Sequence, residues 1–330
     1  MNTKPPSVSS SLRRLRSGRD SKTNAYRLVH GQADGWKDLY VDRLGDFLLM
    51  QSPLPLTTPQ INAAKEWKSA LNLKGVYYKK LNRMVQKSTT ASASPRLVMG
   101  LEAPDMFDVL ENGLKFRLSM RQGYSHGLFP DMRENRQRIL SNRVEPGFPV
   151  FESAPANATV LNSFSYTCTF SVCAARAGAT TINLDLSRKY LDWGRDNMRR
   201  NQVHPDHHDF IYGDALEWMK RLAKRGDTHD LVILDPPTFS RSKKSGVFLA
   251  KRDYASLAKA ATQLVRKGGM LLACSNAAGL PGKKFREDVR KGIRSGGRKI
   301  VRLFTAPQPP DFPETDEEPA YLKVSWLRLD

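Results

Sequence analysis

From residue 158 to the C-terminus, short apolar runs alternate with amphipathic stretches, and this alternation restricts the fold more than any other feature of the chain. Apolar runs of four to six residues read as buried strands, and recurrence at three and four residues reads as helix. Strands are predicted at 159–162, 181–185, 209–212, 231–234, 270–275, 299–304 and 321–329, and helices at 170–177, 188–201, 215–224, 254–266 and 283–295. Five strand–helix repeats followed by two strands with no helix between them imply an α/β fold. The expected sheet has seven strands and is mostly parallel, with an antiparallel edge.

The fourth of these strands carries the sharpest local signal, Leu231-Val-Ile-Leu-Asp235-Pro-Pro-Thr-Phe239. Two prolines cannot continue a ladder, so the strand stops at a carboxylate on a rigid corner. Ligands of open α/β sheets lie outside the carboxyl ends of the strands. Asp235 and the carbonyls fixed by Pro236 and Pro237 could therefore accept hydrogen bonds from a flat acceptor, with Phe239 as a stacking face. Taken alone, the segment could equally be a strand-ending turn.

Neighbouring strand ends strengthen the ligand reading. The first strand runs into Ser163-Phe-Ser-Tyr166. The second ends at Asp185, about 20 residues on, the spacing at which a carboxylate binds ribose hydroxyls. The third ends at Gly213-Asp214. Three carboxylates on one sheet edge suit an adenosyl ligand, although each alone could be a helix N-cap. Neither a G-x-G-x-x-G nor a Walker A sequence is present, which disfavours NAD, FAD and ATP hydrolysis. S-adenosylmethionine fits, because it needs ribose and adenine contacts but no diphosphate clamp.

The N-terminal half reads differently. Residues 1–23 form a basic helix or arm, and 24–97 a small α+β domain with strands at 25–29, 38–42, 47–51 and 76–80 and a helix at 58–71. Residues 86–96 read as a flexible loop. A hairpin turning at Asn112-Gly113 and a connector fill 98–157, and 158–330 is the catalytic domain. The net charge of +20 makes a polyanion the natural partner, and nucleic acid is favoured over a mere solubility bias. The three cysteines, Cys168, Cys173 and Cys274, lack metal-site spacing and point to reduced thiols in the cytoplasm. No metal site is expected, and no apolar run is long enough to span a bilayer.

Four segments together resemble a known family: Leu161–Val172, Asn183-Leu-Asp-Leu-Ser187, Leu234-Asp-Pro-Pro-Thr-Phe-Ser240 and Gly123–Arg136. They are similar to class I S-adenosylmethionine-dependent methyltransferases acting on large-subunit ribosomal RNA, as is Ala25–Gly35 with Val41–Asp46. The resemblance covers nearly all of residues 11–330. It implies a Rossmann-like catalytic domain behind the small α+β domain, often preceded by an RNA-binding PUA domain that this chain begins too late to hold complete. By resemblance the cofactor residues are Phe164, Ser165, Tyr166, Thr167, Asp185, Leu186, Ser187, Asp214, Ala215 and Asp235. Those acting on the acceptor are Asp235, Pro236, Pro237, Phe239 and Asn276, with Phe239, Arg133 and Arg136 binding substrate.

Two departures from the family pattern bear on chemistry. Cys168-Thr169 stands where the family has two glycines, which raises the steric demand of the cofactor loop and keeps open a non-catalytic RNA-binding reading. Asn276 aligns with the nucleophilic cysteine of the cytosine-C5 members, and Cys274 lies two residues earlier. Attack at C5 needs a thiolate added to C6, which an asparagine cannot supply. A base nitrogen, guanine being favoured, is therefore the expected acceptor, with cytosine C5 as the alternative. Oligomeric state is not legible.

Overall fold

The computed structural model describes residues 22–81, 94–122, 125–242 and 246–330. The expected N-terminal arm, most of the 86–96 loop, and Gly123-Tyr124 of the family motif lie outside them. The chain forms two compact units, Met1–Arg133 with Pro309–Ala320, and Glu134–Gln308 with Tyr321–Asp330. The division falls at Arg133, inside the hairpin and connector expected over 98–157, and Pro309–Ala320 belongs with the first unit.

In the first unit the strands are β1 (Ala25–His30), β2 (Tyr40–Leu44), β3 (Phe47–Ser52), β4 (Gly75–Lys80) and β5 (Arg96–Gly100), in sheet order β1-β2-β3-β4-β5. β3 and β4 run parallel and the other pairs antiparallel, because helix α1 (Thr58–Ala70) carries the chain over from β3 to β4. Trp67 on α1 packs edge-on against Trp36 in the core beneath the sheet. β5 was not expected from sequence. It is an exposed edge, with Leu97 and Val98 39% and 43% accessible, so it lacks the apolar–polar alternation that marks a half-buried strand. The hairpin of β6 (Phe107–Glu111) and β7 (Leu114–Leu118) turns at Asn112 and Gly113 with φ of 53° and 78°, the double positive φ of a type I′ turn.

The returning segment is held by charge. Asp311 takes two hydrogen bonds from the Arg133 guanidinium, at 3.1 and 2.5 Å, and one from the Arg27 amide at 2.9 Å. Glu318 accepts from Tyr40 Oη and the Gln32 amide, and it lies where Gly31, at φ +49°, would carry a Cβ.

His30 sits in this charged layer, 4% exposed. Arg27 Nη1 lies 2.9 Å from its Nδ1, so the ring accepts there and is neutral. Burial, and then the Arg27 charge, push its pKa down from 6.5 to about 4. As pH falls, the unfolded chain takes up the proton first. The stability this ring contributes is complete above pH 6.5 and drains away as pH falls towards about 4, by up to about 1.4 kcal/mol per pH unit. Urea unfolding should show about 2 kcal/mol lost from this source between roughly pH 7 and 5, and a shallower loss in His30→Asn.

The second unit opens with helix α2 (Arg133–Leu140). Its seven strands are β8 (Thr159–Ser163), β9 (Thr180–Asp185), β10 (Asp209–Tyr212), β11 (His229–Leu234), β14 (Val265–Ser275), β15 (Ile300–Ala306) and β16 (Lys323–Leu329); two short strands, β12 (Phe239–Ser242) and β13 (Gly246–Leu249), pair only with each other. The helices are α3 (Thr169–Ala177), α4 (Arg188–Arg200), α5 (Ala215–Arg225), α6 (Ala250–Thr262) and α7 (Gly282–Ser295). Sheet order is β10-β9-β8-β11-β14-β16-β15. All seven expected strands and five expected helices are present.

The expectation of an antiparallel edge is corrected. β16 is the antiparallel strand, but it lies inside the sheet, between β14 and β15. Every one of its residues is buried, as befits a strand covered on both faces and paired on both sides. The order of strands reverses between β8 and β11, and that switch point defines the ligand crevice.

Candidate cofactor and acceptor site

The cofactor loop leaves β8 at Ser163 and enters α3 at Thr169. Three of its non-glycine residues are left-handed: Phe164 (φ 61°), Tyr166 (48°) and Cys168 (58°). Each such residue costs about 1–3 kcal/mol and persists only where surroundings over-determine it. Here they do. The Ser165 amide donates to Leu184 O at 3.0 Å, Tyr166 N to Asp185 Oδ2 at 2.9 Å, and Asn197 Nδ2 on α4 to Thr167 O at 2.9 Å.

Asp185 ends β9 at the centre of this arrangement. It also accepts from the Ser187 amide at 2.8 Å, while Ser187 itself caps α4. Burial raises the pKa of Asp185, opposed by the backbone amides it accepts from. Three backbone amides, of Tyr166, Leu186 and Ser187, bond to this carboxylate, and its two oxygens offer about four lone-pair sites, so acceptor capacity remains for a ribose hydroxyl. Leu186 beside it is 42% exposed, an open apolar surface fit for an adenine face. Asp185→Ala should weaken S-adenosylmethionine binding by about 1–3 kcal/mol. Unchanged affinity by calorimetry, in a folded variant, would remove Asp185 from the site.

Cys168-Thr169 is accommodated by a partner that sequence reasoning missed. A Cβ on Gly194 of α4 would overlap Cys168 Sγ and lie 2.8 Å from Cys168 Cβ. The cysteine thus occupies the space vacated by a helix glycine. Burial pushes its thiol pKa up to about 12, so it stays neutral and acts as packing.

At the switch point β11 pairs with β8 and β14, with Leu234 opposite Ser163 and Ala273. Asp235 follows directly, half-buried on the sheet edge, with Pro236 buried and Pro237 half-buried behind it. Thr238 Oγ1 donates to Asn276 Oδ1 at 3.3 Å, so the ends of β11 and β14 meet through side chains. Lys323 Nζ holds the carbonyl of Ala277, next to Asn276, at 2.6 Å. Cys274 is fully buried, and its carbonyl accepts from Tyr254 Oη at 2.7 Å. Thr238, Lys323 and Tyr254 gave no sequence signal, because only strand pairing brings them to this edge. Phe239 is 40% exposed and opens the β12–β13 ribbon.

Other expected site residues are placed differently. Asp214 caps α5, accepting from the Glu217 amide at 3.1 Å, and Ala215 is the buried first residue of that helix. Arg133 and Arg136 are corrected as substrate contacts, being 4% and 1% exposed. Arg133 is spent on Asp311. Arg136 reaches Thr169 Oγ1 at 3.5 Å and lies over the Phe170 ring, bracing the start of α3.

One buried polar group at this strand end is left for a ligand such as S-adenosylmethionine. Ser163 Oγ is buried at the end of β8 with no partner among the described residues, next to a left-handed loop and a ribose-competent carboxylate. No group of three His, Cys, Asp or Glu suited to a metal occurs among the described residues, and none of their helices is long and apolar enough to cross a membrane.

Comparison with known proteins agrees with this geometry. The sequence model of the S-adenosylmethionine-dependent methyltransferase family matches residues 26–328. A Deinococcus radiodurans protein named ribosomal RNA large subunit methyltransferase is 30% identical over 313 residues, 93% of this chain and 73% of that protein. Ribosomal RNA large subunit methyltransferase I of Escherichia coli O139:H28 is 28% identical over 320 residues, 93% of this chain and 75% of that protein. Among solved structures, one described as a methyltransferase complexed with SAH has a TM-score of 0.82 at 28% identity, covering 97% of this chain and 80% of that one. Another, from Streptococcus mutans and described as SAM-dependent, has a TM-score of 0.80 at the same identity, covering 97% and 79%. With a family model that matches residues 26–328, spanning both compact units, the chain belongs to the S-adenosylmethionine-dependent methyltransferases.

Proposed function

We propose that this enzyme methylates a base nitrogen, guanine being favoured, in large-subunit ribosomal RNA. The observation that carries the choice of atom is the strand-end pair Thr238–Asn276 beside Asp235, with every cysteine of the chain buried. When bound, S-adenosylmethionine supplies an electrophilic methyl group. The protein's task is to hold a nitrogen lone pair in line with it, and such positioning provides most of the catalysis. Asp235 and the carbonyls of the Pro-Pro corner accept N–H groups of the base and leave the lone pair free to attack. The methyl group would come from the bound cofactor; an amine acceptor would then give up one proton, to Asp235 or to solvent, whereas a ring nitrogen such as N7 has none to lose.

The names of the Deinococcus and Escherichia relatives support rRNA as the substrate, and the net charge of +20 supports phosphate contact. Three cysteines outside any disulfide support a reducing cytoplasmic setting. Mass spectrometry of rRNA nucleosides from a deletion strain tests the reading, which expects loss of one methylated guanosine. Loss of 5-methylcytidine instead, or a covalent adduct with RNA containing 5-fluorocytosine, would install the cytosine-C5 alternative.

A further inference from the structure

The two-stranded ribbon that follows the Asp-Pro-Pro corner has two unlike faces. Residues directly opposite in an antiparallel pair share a face. Ser240 pairs with Phe248, and Phe248, 6% exposed, packs its ring 6.4 Å from that of Phe164 in the cofactor loop. This face is turned inward. Phe239 pairs with Leu249, and Arg241 with Val247, so these four form the outward face. Phe239 and Val247 are 40% and 41% exposed, and Arg241 is exposed between them.

The ribbon is braced rather than loose. The Ala250 amide donates to Thr238 O at 3.1 Å and closes its foot. Arg252 donates to Val247 O at 2.7 Å while paired with Asp253, and Asp253 in turn accepts from the Leu249 amide at 2.9 Å. Phe239, Arg241 and Val247 thus stand together on one exposed face of this braced ribbon. Its foot is also close to the chemistry: three residues lie between Asp235 and Phe239, four steps of chain that reach at most about 14 Å.

We propose that the outward face of the β12–β13 ribbon grips unpaired RNA beside the target nucleotide. This deepens the RNA reading above and rests on it. A base that reaches Asp235 must leave its helix, so its neighbours present unstacked faces and a turned backbone. The Phe239 ring can accept a base face without regard to sequence, Val247 beside it adds apolar contact, and the Arg241 guanidinium meets the phosphate. The strongly basic chain favours this occupant over an apolar protein surface.

The test uses the full chain with S-adenosylhomocysteine, a fluorescent unstructured RNA oligonucleotide, and the same RNA annealed to its complement. Wild type is expected to prefer the single strand. The double variant Arg241→Ala, Val247→Ser should bind the single strand about tenfold more weakly. Duplex affinity and cofactor affinity should be unchanged, and KM for RNA should rise at constant kcat. Arg241→Lys, which keeps the charge, should retain most of the affinity. Unchanged single-strand binding in the double variant, or an equal loss for duplex, would overturn the ribbon assignment while leaving the enzyme an RNA methyltransferase. Failure of wild type to bind either RNA would overturn both.

Discussion

Asp235→Ala is expected to lower turnover by at least about 100-fold, since misplacement of an acceptor by about 1 Å has that effect. The change removes the only carboxylate that directly follows β11 and leaves the Pro236-Pro237 corner in place. Cofactor affinity should change less than kcat, because ribose recognition is proposed for Asp185 on a different strand. Cys274→Ser supplies the contrast. Its side chain is fully buried two residues before Asn276, so turnover per folded molecule should persist. Single-turnover methylation of RNA by the two variants checks both expectations. Loss of activity in Cys274→Ser, with Asp235→Ala active, would reverse the roles and return the chemistry to a thiolate mechanism.

Gly194→Ala is the second large effect. An interior helix glycine normally costs about 1 kcal/mol relative to alanine, so on propensity alone this substitution should stabilise α4. The new methyl would instead overlap Cys168 Sγ. The collision pushes a loop already carrying three left-handed residues, and overpacking of this kind costs about 1–3 kcal/mol. A loss of S-adenosylmethionine affinity of roughly 10- to 100-fold should follow. The sign should reverse once Cys168 is glycine. With the thiol and its Cβ gone, the next neighbour of a methyl at 194 is the Thr167 carbonyl carbon at 3.5 Å, an ordinary contact. Cys168→Gly with Gly194→Ala should therefore bind cofactor better than Gly194→Ala alone. Calorimetric titration of the four proteins gives the coupling directly, and simple additivity would show that the two residues do not share one space. The same lock answers the concern raised by Cys168-Thr169: the departure from family glycines is matched by a glycine on the neighbouring helix, which weighs against a degenerate, non-catalytic fold.

Much of the second unit was legible because its information is local. Apolar runs such as Leu231–Leu234 and helical stretches such as 188–201 declare themselves within a few residues, since burial on two faces or on one stripe leaves a short-period trace. The strand-end positions of Asp185 and Asp235 were legible for the same reason: one ends β9 and the other follows β11 directly, and parallel topology places both ends on one edge. Asp214 shows where that reasoning stops, because a carboxylate after a strand serves equally well as the cap of the next helix.

What only the tertiary structure decided are matters of long-range pairing and burial. Sequence periodicity does not say which neighbours a strand will take, so β16 was placed at the edge when it lies within the sheet, and exposed β5 was missed. Charge does not say whether an arginine faces water, and Arg133 and Arg136 went inside because Asp311 and the start of α3 offered partners to desolvated guanidiniums. The ribbon after the Asp-Pro-Pro corner, the meeting of Thr238 with Asn276, and the seating of Cys168 against Gly194 join residues from separate elements. Contacts of that kind exist only once the sheet has set its register, because they are fixed by distances in space that no neighbour in the chain encodes.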